Sequence, residues 1–95
     1  MDFGLKGKVS LVAAASRGLG RAVAEELAVE GASLILCARN ESTLSATCDS
    51  IRKKYDVSVL GVAADLSVAE DIERVVHDGL ERFGQIESAA FFLHA

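Results

Sequence analysis

The chain has 95 residues, 51% hydrophobic and 25% charged, with no proline. This length allows at most one domain, and the composition is globular rather than disordered or fibrous. Ten basic and 14 acidic residues leave a net charge of −4, which offers no electrostatic footprint for a nucleic-acid backbone.

Strand and helix alternate along the chain. The apolar run Lys8 to Ala14 predicts a buried strand. Gly18 to Glu30 carries Leu19, Val23 and Leu27 at helical spacing, with Ala22 and Ala28 alongside and Gly31 as a stop signal. Ser33 to Cys37 is a second buried strand. Asn40 can cap a helix with Leu44, Cys48, Ile51 and Tyr55 on one face. Val57 to Ala63 reads as a third strand. Ser67 and Glu70 have the spacing of a capping box, in which the serine caps and the glutamate bonds back. Ile72, Val75, Val76, Gly79, Leu80 and Phe83 then form a helical stripe that Gly84 ends. Ile86 to Leu93 is the candidate fourth strand. No repeat, linker or low-complexity tract interrupts this order.

Continuous apolar strands separated by helices argue a parallel sheet with helices on both faces. Right-handed crossovers that step one way leave their helices on one face. With the fourth strand returned beside the first, its helix lies on the other face and the order is 3-2-1-4. Ligands of such sheets bind at the carboxyl ends of the strands, where the order reverses.

The loop Ala13-Ala14-Ala15-Ser16-Arg17-Gly18-Leu19-Gly20 lies at that point, with a strand before it and a helix after. Small residues there let backbone approach a pyrophosphate, and the helix N-terminus supplies N–H donors and a positive dipole end. Nucleotide binding is preferred over an ordinary tight turn. Arg17 lies in this loop, and Arg39 follows the second strand, where NAD-preferring folds place an acid. An acid repels a 2′-phosphate and an arginine pairs with it, so the reading is NADP(H). Two solvated surface arginines are the plainer alternative. Asp65, followed by Leu66 after the third strand, can accept from an adenine amino group or serve as an acid favoured by the next helix dipole.

These features together resemble the N-terminal part of the short-chain dehydrogenases/reductases, a Rossmann-type fold. The resemblance runs over about residues 5 to 87 and includes Lys6-Gly7-Lys8, Asp65-Leu66 and Phe83-Gly84-Gln85-Ile86. Within the family it is most similar to the 3-oxoacyl-carrier-protein-reductase-like group. The resemblance implies cofactor contacts from Ala14, Ser16, Arg17, Gly18, Leu19, Gly20, Arg39, Asp65 and Leu66. It also implies hydride transfer between NADP(H) and a carbonyl or alcohol in the full-length family. The family glycine motif is Thr-Gly-x-x-x-Gly-x-Gly. Here Ala13-Ala14 replace Thr-Gly, which weakens binding without abolishing it. Where the family has Asn-Asn-Ala-Gly, this chain has Phe91-Phe92-Leu93-His94, so residues 88–95 form an atypical tail. Truncation, a frameshift or an altered terminus each produce such a pattern. The family's catalytic serine and Tyr-x-x-x-Lys pair lie beyond residue 95. Tyr55 is the only tyrosine, with Val59 four positions on, so this chain is expected to be inactive alone.

The remaining candidates carry less. Arg74 and Glu81 read as the solvated face of a mixed-charge helix, His77 as a surface or boundary residue, and His94 has no acid or cysteine at ligand spacing. No metal site is expected. Ser10, Ser16 and Ser67 have no base in sequence context. The first residues lack the apolar run of a signal peptide, and no stretch has the length of a membrane span. Cys37 and Cys48 form no disulfide framework and read as reduced core thiols of a cytoplasmic protein. The competing function is a non-catalytic module that binds a nucleotide or associates with other chains. An uncovered sheet edge and face make self-association an expectation.

Overall fold

A computed structural model describes residues 6–13 and 18–91 of the chain. Seven elements follow one another: β1 (Val9–Ala13), α1 (Gly18–Val29), β2 (Ser33–Ala38), α2 (Glu41–Tyr55), β3 (Val59–Ala63), α3 (Ala69–Phe83) and β4 (Ser88–Phe91). The strands form one parallel sheet in the order β3-β2-β1-β4, as the sequence predicts. Ala14, Leu93 and the rest of the tail, which the sequence assigns to the ends of the first and fourth strands, lie outside the described residues. The third strand begins two residues later than predicted, and the fourth at Ser88 rather than Ile86.

Successive strand side chains point to opposite faces, so a strand buried on both faces is largely apolar, with any polar side chain hydrogen-bonded. Val12, Leu34, Leu36 and Val59 face α1 and α2, where they meet Ala24, Ala28, Leu44, Cys48 and Ile51. Val9, Leu11, Ala13, Ile35, Cys37 and Val62 form the other face and pack with Val75 of α3. The two cysteines thus lie buried on opposite sides of the sheet. Each fully buried aliphatic side chain contributes about 1.5–3 kcal/mol. Gly79 brings α3 close: a Cβ there would lie 2.4 Å from Cδ1 of Ile35.

Helix ends follow local chemistry. At the end of α1, Ala32 N–H donates to Leu27 O at 3.1 Å and Gly31 N–H to Ala28 O at 3.0 Å. Gly31 adopts φ 86°, completing a Schellman motif at the predicted stop. Asn40 caps α2 as predicted, accepting from Thr43 N at 3.0 Å. The predicted capping box does not form. Val68 is the N-cap residue of α3, without a side-chain bond. Ser67 instead donates its N–H and hydroxyl to Asp65 Oδ1, at 2.9 and 2.7 Å. This Asx turn reaches back only two residues and captures the serine that the box required.

β4 is joined to β1 by side chains as well as by the ladder. Glu87 N–H donates to Val9 O at 2.9 Å, and the Glu87 carboxylate accepts from Val9 N. The hydroxyls of Ser10 and Ser88, residues paired in the ladder, are 2.8 Å apart.

Candidate functional site

The parallel sheet gathers every predicted site residue among the described ones at a single edge. Ala13 is paired with Cys37 and Cys37 with Val62, so β1, β2 and β3 end nearly level. Just past those ends come the start of α1, Arg39, and Asp65 with Leu66. On the other flank of β1, Ala13 is paired with Phe91 of β4, so the strand order reverses beside the mouth of α1.

Gly18 opens α1 at φ 65°, a conformation that costs an L side chain about 1 kcal/mol or more. Gly20 is buried, and Leu19 is exposed. The first turn of α1 contains no acid, so its own side chains set no negative charge against its free N–H groups and positive dipole end. Ala14, Ser16 and Arg17, which complete the predicted loop, lie outside the described residues.

Arg39 is exposed immediately beyond β2. Its charge acts on Asp65, one strand away. The two hydrogen bonds from Ser67 hold the Asp65 carboxyl below the usual carboxylate range; burial opposes them, and the Arg39 cation adds a smaller lowering effect. Asp65 is therefore an anion throughout the neutral range. Leu66 is half-buried and packs against the α3-side core, anchoring the loop.

At this edge, Asp71 is passed over at the level of sequence, and Arg74 is set aside there as a solvated charge. Asp71 Oδ2 accepts from Asp65 N at 2.8 Å, and Arg74 donates to Ala63 O at 2.7 Å. Arg74 is thus tied to the end of β3 rather than being merely a solvated charge. The legible signal is an acid and a base three apart at the start of the helix that follows Asp65. His77 is exposed, as predicted, near Asp78 and Glu81.

An open cleft of about 530 Å³ lies at the opposite edge, where Lys6, Gly31, Asp56 and Val57 precede the strands. Tyr55 lines it and donates to Glu25 at 3.3 Å, far in the topology from the carboxyl ends. None of the predicted site residues among those described lines this cleft. Among the described residues, no group of three side chains is arranged to hold a metal ion. Nor is any helix among them long and apolar enough to cross a membrane.

The family model for short chain dehydrogenases matches residues 8–88. Dehydrogenase/reductase SDR family member 4 of Caenorhabditis elegans is 35% identical over 81 residues, covering 85% of this chain and 31% of that protein. The 3-oxoacyl-(acyl-carrier-protein) reductase of Aquifex aeolicus is 37% identical over 78 residues, covering 82% and 32%. L-sorbose reductase from Gluconobacter frateurii, solved with NADPH and L-sorbose, superposes with a TM-score of 0.97 at 35% identity, covering 100% of this chain and 36% of that one. A short-chain dehydrogenase/reductase from Burkholderia phymatum, solved with NAD, gives 0.87 at 33% identity, covering 92% and 31%. The chain spans about a third of the length of these proteins.

Proposed function

Because this chain belongs to the short-chain dehydrogenase family, we propose that it is the dinucleotide-binding portion of an oxidoreductase and that its cofactor is NADP(H). The observation that carries the choice of cofactor is Arg39, exposed beyond β2 where an acid would select NAD. The L-sorbose reductase structure contains NADPH and the Burkholderia phymatum structure NAD, so family likeness alone supports a dinucleotide of either kind.

The described residues fit such a ligand. Gly18, Leu19 and Gly20 offer helix N-terminal N–H groups to a pyrophosphate, with no acid nearby in the first turn. Ala14, Ser16 and Arg17 complete the loop in this reading, with Arg17 and Arg39 sharing the 2′-phosphate. Asp65, held ionised by Ser67, accepts from the adenine amino group, and Leu66 holds the loop that bears it. The bound dinucleotide supplies the hydride for reduction of a carbonyl. The residues of this chain bind and orient it. Proton transfer to a carbonyl oxygen needs a positioned acid. Tyr55, at the opposite edge and bonded to Glu25, does not supply one. Residues 1–95 alone are therefore expected to bind cofactor without turnover.

Fluorescence titration tests the reading. NADPH should bind the chain about tenfold to a hundredfold more tightly than NADH, given about 1.5–3 kcal/mol for each charge-assisted bond to the phosphate. Arg39→Asp should erase or invert that order. Equal affinity of the unmutated chain for both cofactors would refute the assignment to NADP(H).

A further inference from the structure

We propose that Asp71 and Arg74 are positioning residues that fix Asp65 for recognition of the adenine edge, an inference that rests on the cofactor reading above. The last ladder bond between β2 and β3 is Ala64 N to Ala38 O, at 3.0 Å. Beyond it the sheet no longer holds the chain, yet Asp65 is the next residue. Two side chains of α3 take over. Asp71 Oδ2 receives the Asp65 N–H at 2.8 Å, and Arg74 donates to the Ala63 carbonyl at 2.7 Å. The main chain is thus gripped on both sides of Ala64. The two side chains also lie 3.6 Å from each other, which offsets their charges close to where an anionic cofactor would pass.

An acid in the first turn of a helix is ordinarily explained by the helix dipole. Glu70 and Asp71 both satisfy that rule. Asp71 does more, because its bond is to Asp65 rather than to an N–H of its own helix. Core packing does not explain the pair either, since the Asp71 and Arg74 side chains are 30% and 46% exposed. What they fix is the direction of the Asp65 side chain. Its Oδ1 is already committed to Ser67, which leaves Oδ2 to meet an adenine amino group. A small rotation of the Asp65 peptide would turn that oxygen away.

The test compares NADPH with its hypoxanthine analogue, in which an oxygen replaces the adenine amino group, each titrated into the full chain. The unmutated chain should prefer NADPH. Asp71→Ala should reduce that preference by about fivefold to tenfold, while affinity for the analogue changes by less than about twofold. Asp71→Asn keeps an oxygen acceptor and should retain the preference. Arg74→Met keeps the aliphatic stem and supplies a reading that does not depend on Asp71; it should lose the preference likewise. Full preference retained in both Asp71→Ala and Arg74→Met overturns the positioning role and leaves the cofactor reading intact. Equal weakening toward both ligands also overturns it, by marking a general structural role. Failure of the unmutated chain to bind either ligand overturns the cofactor reading and the positioning role together.

Discussion

At Gly79 a single hydrogen sets how closely α3 lies on the sheet. Alanine in a helix is ordinarily about 1 kcal/mol better than glycine. Here its methyl would sit 2.4 Å from Cδ1 of Ile35, a side chain with no exposure. Overpacking outweighs propensity, so Gly79→Ala should lose about 1–2 kcal/mol in urea denaturation. Ile35→Val removes the obstructing methyl. The double variant should be more stable than the sum of the single effects by about 1 kcal/mol, and strict additivity would refute the contact. Cys48 makes a second prediction at this scale. Burial pushes its thiol up, with Arg52 opposing and Asp49 adding to the shift. The unfolded thiol ionises near ~8.5. Stability from this group is thus intact below that value and is lost as pH rises through the raised folded value. Between about pH 8 and 10 the urea midpoint should fall more steeply in the unmutated chain than in Cys48→Ala. Parallel slopes would count against it.

The two ends of α2 make opposite predictions. Asn40→Ala removes the bond to Thr43 N and should cost about 1 kcal/mol. Asp56, beyond the other end, stands at φ 53° with an acid near the negative pole of the dipole. Asp56→Gly should therefore stabilise by about 0.5–1 kcal/mol, and thermal melts of the two variants should move in opposite directions. These ends also mark what can be read from sequence. Asn40, Gly31 and Gly84 are legible because one residue supplies the whole signal. The runs Val9 to Ala13 and Ser33 to Ala38, largely apolar on each face and separated by a helix, are likewise enough to place a parallel sheet. Ser67 misleads because its partner depends on competition: Asp65, two residues earlier, holds the same N–H and hydroxyl more locally than a box could. Asp56 is missed because sequence rules look for glycine at such a cap, while an aspartate tolerates the left-handed region. In the site, Arg39 and Asp65 are legible from their places after strands. Asp71 and Arg74 show in sequence only as an acid and a base three apart; their role is not legible, because the groups they bind, Asp65 N and Ala63 O, come near only when α3 folds back.

Across the whole molecule, one side of the sheet is covered more completely than the other. Among the described residues, two helices pack on the face of Val12 and Leu36, and α3 alone on the face of Leu11 and Ile35. Ala89, paired with Leu11 and so directed to the α3 side, is exposed. β4 is the outer strand of the described sheet, and Leu80 and Val68 add exposed apolar surface on the α3 side. Such an edge promotes association. Light scattering should show mass rising with protein concentration, and Ala89→Lys should reduce that rise by placing a charge on the strand. A monomer at all concentrations would refute this. The pairing of β1 with β4 has a further consequence, in the time during which the chain is made. Ser10 must wait for Ser88, 78 residues later, before their hydroxyls can meet. Between the end of β3 at Ala63 and the start of β4 at Ser88, synthesis at about 5–20 residues per second leaves roughly 1–5 seconds in which β1, β2 and β3 can align while the other flank of β1 stands empty. On the ribosome, the crevice between β1 and β4 therefore closes only after β1, β2 and β3 have all been made.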